Sequence, residues 1–384
     1  MKRSTDRIIV THVGSLARPP DLMEMLVARQ EGKPYDHDAL AKRTRTAVAE
    51  VVHKQIECGV DIVNDGELGK ANFSRYTRER LSGFVERAAP AGFKPTSIFG
   101  RDMVDFPDYF NRGGRTSIGH HARVFYCSEP LRYVGHDEVK SDIANLKAAL
   151  QGKQVEEAFL PAVAPGTMEH WMKNEYYPTQ EAYLFAIADA MHEEYKAIID
   201  AGFVLQIDDP DLADAWQMHP EMSLADYRKY QEQRIDALNH GLRGLPIDRV
   251  RFHMCWGSYH GPHKYDIPLK DIVDLILKVR ADAYSIEASN PCHDHEWRVW
   301  QETKLPDGTI LIPGVVGHYS DFIEHPQAIA DRLVRYAKIV GRENVIAGTD
   351  CGIGSRVGHP QVGWAKFQAM AEGARLASKE LWGK

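Results

Sequence analysis

The chain has 384 residues, 43% hydrophobic and 26% charged, a balance that excludes a disordered, fibrous or membrane-spanning protein. Lys and Arg number 47 against 54 Asp and Glu, a net charge of -7 with no basic run, so neither nucleic acid nor a membrane is an expected partner and a small molecule is. Length alone allows two or three domains, or one decorated α/β barrel.

The N-terminal MKRSTDRIIV is charged and is followed by no apolar stretch long enough for a signal peptide or membrane helix, so the mature protein is expected to begin near residue 1. Ile8 to Val13 reads as a first strand and Asp61 to Asn64 as a second, entered through Cys58-Gly59-Val60, where glycine stops a helix. From about 68 to 155 the rhythm breaks into aromatics, charges and Gly/Pro-rich pieces, which predicts an inserted subdomain or lid after the second strand. Alternation resumes with strands at Ala158 to Val163 and Val204 to Ile207, separated by the helical spacing of Leu184, Ile187, Met191 and Tyr195. Further strands are predicted at Val250 to Met254, Ala283 to Ile286, Thr309 to Val315 and Val345 to Gly348, with helices over Ile272 to Val279 and Ile329 to Val340. Eight such strands with helical crossovers predict a single (β/α)8 TIM barrel spanning 1–384.

Polar or reactive residues follow strand after strand: His12 and Ser15, Asp65 and Glu67, Trp171, Asp208 and Asp209, His253 and Cys255, Glu287, His318, Asp350 and Cys351. A barrel gathers them all on its C-terminal face. In His253-Met254-Cys255 the imidazole and thiol stand two apart and project from the same side of a strand. Glu287 and Cys351, at the ends of later strands, complete a four-ligand set of the kind zinc takes, dispersed as at an active face rather than paired as CxxC. Zinc there holds a substrate thiol as its thiolate at neutral pH. Cys292-His293-Asp294-His295, with His260 and His263, is a rival metal cluster that reads better as polar residues around the site or on the surface. The five scattered cysteines form no disulfide framework, and reduced thiols fit a cytoplasmic protein; Cys58 and Cys127 are expected to pack. Taken singly, Gly14 could be a simple turn, Glu67 and Asp208 could pair with lysine or cap a helix, and Trp171 could be core.

Together these segments resemble the cobalamin-independent methionine synthase family. His253-Met254-Cys255, Ser285-Ile286-Glu287-Ala288-Ser289 and Gly348-Thr349-Asp350-Cys351-Gly352 are similar to that family's zinc site in order and approximate spacing. Thr11-His12-Val13-Gly14-Ser15 resembles its opening, where a Gly-Ser turn contacts the amino-acid thiol. Asn64-Asp65-Gly66-Glu67 and Gln206-Ile207-Asp208-Asp209-Pro210 resemble the segments whose acids hold the substrate ammonium, which makes Glu67 and Asp208 the candidates here. Pro165 to Trp171 resembles the segment whose tryptophan lies against the folate ring. The chain departs from the family in having room for one barrel only, and in carrying Tyr319, with His318 beside it, where the family has its proposed acid histidine.

The resemblance implies a zinc-dependent S-methyltransferase that moves methyl from a methyl-tetrahydrofolate to homocysteine or a similar thiol. Zn2+ would sit on His253, Cys255, Glu287 and Cys351, the thiol substrate at His12, Gly14, Ser15, Glu67 and Asp208, the pterin on Trp171, and the acid would be His318 or Tyr319. Single-barrel relatives imply a second possibility, opening of an epoxide by coenzyme M, with Arg18, Arg75 and Arg356 available to a sulfonate. A third is a zinc-holding or ligand-binding protein without catalysis. The sequence assigns no oligomeric state.

Overall fold

A computed structural model describes residues 1–73, 76–90, 97–111, 123–354 and 356–383. Every predicted barrel strand forms: β1 (Ile9–Val10), β2 (Ile62–Val63), β3 (Glu157–Val163), β4 (Val204–Asp208), β5 (Val250–Met254), β6 (Ala283–Ile286), β7 (Ile310–Val316) and β8 (Ile346–Thr349). They are short, mostly apolar runs buried along nearly all their length, as strands covered on both faces must be. They pair in parallel in the order β1-β8-β7-β6-β5-β4-β3-β2. Between β2 and β1 the ring is joined by Asp61 N–H donating to the Val10 carbonyl at 2.9 Å and by Thr11 Oγ1 donating to the Ile62 carbonyl at 3.1 Å. The result is the expected (β/α)8 barrel.

Its interior is layered. Ile9, Ile62, Phe159, Val204, Ala283, Ile310, Ile312 and Ile346 form one apolar cluster. Above it, Arg251 is fully buried with its guanidinium 3.5 Å from the centre of the Phe159 ring. It donates to Gln206 Oε1 at 2.7 Å, Thr11 Oγ1 at 2.9 Å and the His12 carbonyl at 2.6 Å, so a charge in the barrel centre is matched by acceptors from β4 and from the end of β1. Helices pack outside this ring. Gln180–Asp200 is capped by Thr179 Oγ1 accepting from Ala182 N–H at 3.0 Å, and His37–Glu57 by Asp36 accepting from Ala39 N–H at 3.0 Å. Gly59 and Gly202, at φ +83° and +91°, end those helices and turn into β2 and β4 as predicted.

Two regions differ from the sequence expectation. The helical spacing over Ile272 to Val279 yields only a 3-10 turn at Leu269–Asp271 and one α turn at Val273–Ile276, although Ile272, Leu275, Ile276 and Val279 are all buried. The preceding loop runs on to Pro268, and four of the eight residues are β-branched, so burial is reached without a long helix. The stretch after β2 holds an antiparallel pair, Leu81–Ala88 with Arg123–Tyr133, and short helices at Asp102–Asp105 and Pro107–Asn111. The following helix, His136–Leu150, packs against His37–Glu57 and Gln180–Asp200 as part of the barrel's outer layer, so the excursion proper ends near Tyr133.

The excursion is fastened at both ends. Arg80, 4% exposed, pairs with Asp142 and with the fully buried Glu194, which also accepts from Tyr76 Oη at 3.2 Å and Tyr133 Oη at 2.8 Å. Farther along, Arg101 donates to the carbonyls of Trp216, His219 and Met222, and Phe99 and Phe110 pack on Tyr259. Residues 97–111 therefore lie over the loops that follow β4 and β5. Among the described residues no helix is long and apolar enough to cross a membrane.

Candidate metal centre

The strand ends β5 and β8 bring His253, Cys255 and Cys351 together, with one ligand atom from each lying within 4.8 Å of the others. His253 and Cys255 are each 2% exposed. Neither ring nitrogen of His253 has a hydrogen-bond partner, an arrangement that is costly for a buried imidazole unless something else takes its lone pair. Cys255 Sγ donates across 3.6 Å to Cys351 Sγ, and Ser258 Oγ donates to the same sulfur at 3.1 Å. The Cys255 donor, with His253 beside it, holds the Cys351 thiol well below the usual thiol range. One nitrogen and two sulfurs, one of them prone to ionise, are a donor set that fits zinc.

Glu287 stands apart from this trio. Its carboxylate falls with His318 and Asp350 in a second close group, all three buried. Oε2 accepts from Trp256 N–H at 3.0 Å, and Oε1 accepts from Asn290 Nδ2 at 2.9 Å and Tyr319 Oη at 3.3 Å. Burial, followed by the neighbouring Asp350, raises its pKa. Asp350 caps the turn after β6, accepting from Ala288 N–H at 2.8 Å and Ser289 N–H at 2.9 Å. His318 is fully buried, neither nitrogen is bonded, and desolvation lowers it to about 4.

The predicted ammonium acids both come within electrostatic reach of the trio. Desolvation raises Asp208 to about 7, with His253, Glu67 and Cys351 in electrostatic reach, and Gln206 Nε2 donates to its Oδ1 at 2.7 Å. Glu67 is 3% exposed and raised by burial, with Cys351 and His253 again among its neighbours. It holds φ +56°, and Arg18 donates to its carbonyl at 2.8 Å. Gly14 closes the pocket wall: a Cβ there would stand 3.1 Å from Glu67 Oε1. Ser15 touches the β8 loop, its carbonyl accepting from Gly354 N–H at 3.0 Å.

Other predicted residues sit elsewhere. The His12 ring is turned into the core between Phe159 and Phe367, with Nε2 2.8 Å from Gln55 Oε1 and a pKa lowered to about 3 by burial. Trp171 ends the helix Pro165–Trp171 after β3, half-buried and 4.5 Å from the His170 ring, where the chain enters Met172–Asn174 and joins the sheet of the excursion. Of the three candidate arginines, Arg18 also donates to the Lys70 carbonyl at 2.6 Å, Arg356 is exposed with Cys351 in electrostatic reach, and Arg75 lies outside the described residues. The rival cluster assembles no metal set: His263 and His293 share Asp266. Sequence reasoning missed Ser258, Trp256 and Asn290, whose only signal was standing within three residues of a predicted ligand.

Comparison with known proteins identifies what the chain is similar to. The family model described as "Cobalamin-independent synthase, Catalytic domain" matches residues 145–375. Methionine synthases of Thermococcus kodakarensis and Sulfolobus acidocaldarius are 23% and 25% identical, covering 96% and 97% of this chain and 93% and 92% of their own. Among solved structures, a B12-independent methionine synthase from Shewanella sp. W3-18-1 in complex with selenomethionine superposes with a TM-score of 0.74 at 20% identity, over 98% of this chain and 100% of that one. A methyltransferase from Methanosarcina mazei gives 0.54 at 13% identity, over 97% and 94%.

Proposed function

The chain belongs to the cobalamin-independent synthase catalytic-domain family, and from that premise we propose that it is a zinc-dependent S-methyltransferase acting on homocysteine or a similar amino-acid thiol, with a methyl-tetrahydrofolate as donor. The observation that carries the reading is the convergence of two kinds of group: a His-Cys-Cys donor trio and a pair of buried carboxylates, Glu67 and Asp208, facing it.

His253, Cys255 and Cys351 would hold the zinc, with Glu287 as the fourth ligand. Bound there, zinc supplies a positive charge that favours the thiolate form of a substrate at neutral pH. Glu67 and Asp208 receive the ammonium group, and Gln206 orients Asp208. Methyl transfer forms the sulfur–carbon bond and breaks the carbon–nitrogen bond of the donor, whose nitrogen then needs a proton. Burial keeps His318 as the neutral imidazole at neutral pH, whereas Tyr319 retains its hydroxyl proton, so delivery is assigned to Tyr319. Trp171 offers its face to the pterin, and residues 97–111 act as the cover that excludes water.

A second electrophile is favoured by one observation. A tyrosine stands where the family has its acid histidine, and a hydroxyl bonded to Glu287 suits protonation of the alkoxide left by an opened epoxide. The test is a substrate matrix: zinc-loaded protein with homocysteine or coenzyme M, against mono- and polyglutamyl methyl-tetrahydrofolate or small epoxides. Methionine formation is expected. Turnover of an epoxide with no methyl transfer from any folate would replace the first reading by the second.

A further inference from the structure

A buried chain of charged groups beside the candidate centre takes no part in the reaction as proposed. His263 is 7% exposed, with Nδ1 2.6 Å from Asp266 Oδ2 and Nε2 3.1 Å from the Tyr259 carbonyl. His293 is 4% exposed, with Nε2 3.1 Å from the same Asp266 Oδ2 and Nδ1 2.9 Å from Glu296 Oε2. Every group facing these four nitrogens is a carboxylate or a carbonyl. Each nitrogen is therefore placed to donate, an arrangement that favours the imidazolium form of both rings. The remaining carboxylate oxygens are held too: Gln217 Nε2 donates to Asp266 Oδ1 at 3.1 Å and Leu269 N–H to Glu296 Oε1 at 2.6 Å. Two imidazolium rings and two carboxylates thus offset one another in a largely buried site. His263 also holds φ +52°, a conformation that a non-glycine residue keeps only when its surroundings enforce it.

Both rings lead to Glu287. His293 stacks on Trp256 at 3.7 Å and 16°, and Trp256 N–H donates to Glu287 Oε2 at 3.0 Å. His263 stacks on Tyr259 at 4.2 Å and faces Tyr319 at 6.1 Å and 23°, and Tyr319 Oη donates to Glu287 Oε1 at 3.3 Å. Two of the three donors to Glu287, the backbone N–H of Trp256 and the hydroxyl of Tyr319, thus belong to residues whose rings face the two imidazoles, while Asn290 Nδ2 supplies the third at 2.9 Å.

We propose that His263, Asp266, His293 and Glu296 form a positioning array that acts through Trp256 and Tyr319 to fix the Glu287 carboxylate, and so sets how this ligand meets the His253–Cys255–Cys351 trio. The array touches neither substrate nor metal, and its role rests on the reading of Glu287 as a zinc ligand. Groups that orient metal ligands in this way contribute roughly tenfold to hundredfold in metal affinity.

The experiment is zinc titration of four full-length proteins, wild type, Asp266→Asn, Glu287→Gln and the double variant, with the visible spectrum of each cobalt-substituted form. Asp266→Asn is expected to weaken zinc binding by at least tenfold and to shift the cobalt bands. In the Glu287→Gln background it should add nothing, because the ligand through which it acts is gone. Equal weakening in both backgrounds, or none in either, would overturn the array; a wild type that binds no zinc would overturn the metal reading and the array with it. Should Asp266→Asn fail to fold, His293→Gln takes its place. Histidine 15N spectra of the metal-free wild type give a second readout: two imidazolium signals persisting at pH 8 are expected, and two neutral rings would refute the array outright.

Discussion

Asp208→Asn separates what the metal-free protein needs from what the substrate needs. Burial raises the Asp208 carboxyl from 3.8 to about 7, so between those values the folded protein binds a proton that the unfolded chain has released. Folding stability therefore falls as pH rises through that window. Three pH units at about 1.4 kcal/mol each put the cost of the ionised carboxylate at roughly 4 kcal/mol above pH 7. Asparagine keeps the oxygen that accepts from Gln206 Nε2 at 2.7 Å and removes the charge. In urea unfolding of the zinc-free proteins, the variant is expected to match wild type near pH 4 and to exceed it by up to about 4 kcal/mol at pH 8. The same substitution removes a charged partner of the substrate ammonium, worth about 1.5–3 kcal/mol, so KM for homocysteine should rise roughly tenfold to hundredfold. A thiol lacking the amino group should lose nothing on the substitution. A stability difference that is the same at pH 5 and pH 8 would refute the argument from burial, and an unchanged KM would refute the ammonium site.

Three further outcomes are expected. Cys351→Ser should lose most bound zinc and with it methionine formation; activity that survives would remove Cys351 from the ligand set. At saturating zinc, Tyr319→Phe should lower kcat by about 10²–10⁴-fold with little change in the KM of the thiol, since it deletes the proposed proton donor while its hydrogen bond to Glu287 bears on zinc affinity, and steady-state kinetics with equal loss in both parameters would argue for a binding role instead. Arg80→Met leaves Glu194, which is fully buried, without its cation. That should cost about 3–5 kcal/mol in thermal or urea unfolding, and a loss under 1 kcal/mol would mean the excursion is fastened elsewhere.

The barrel was legible because its signals are local. Apolar runs such as Ala283 to Ile286, flanked by turn residues and separated by helical spacing, carry their own strand assignment, and all eight formed. What tertiary context decides was not legible. Ile272 to Val279 has helical spacing, yet the fold buries those side chains from two short turns. His12 stands at a strand end like the other candidates, but period alone does not say that its ring turns inward to Gln55. The His-Cys-Cys trio was legible from strand-end position, whereas the distance of Glu287 from it depends on Trp256, Asn290 and Tyr319, three partners from separate positions in sequence. The pairing of His263 with His293 through Asp266 needed the β5 and β6 loops to fold together, and metal-like spacing in sequence was a misleading guide to it.

The electrostatics of the site bear on the order in which it fills. Glu67 and Asp208 are both raised by burial, and the Cys351 thiolate stands among the groups that raise them. Burial is the main obstacle to their ionisation and mutual repulsion adds to it, offset at Glu67 by Lys70 and Arg18, and each further cation that enters relieves the rest. On the proposed reading zinc would come first, because its charge would offset the thiolate that opposes Glu67 and Asp208 and so favour ionisation of both carboxylates, which the ammonium then completes. A thiol lacking that ammonium then leaves two buried charges unmatched. Selectivity for an amino-acid thiol thus follows from leaving that pair unpaired, since a missing partner in a buried polar site costs more than a missing methylene in an apolar one.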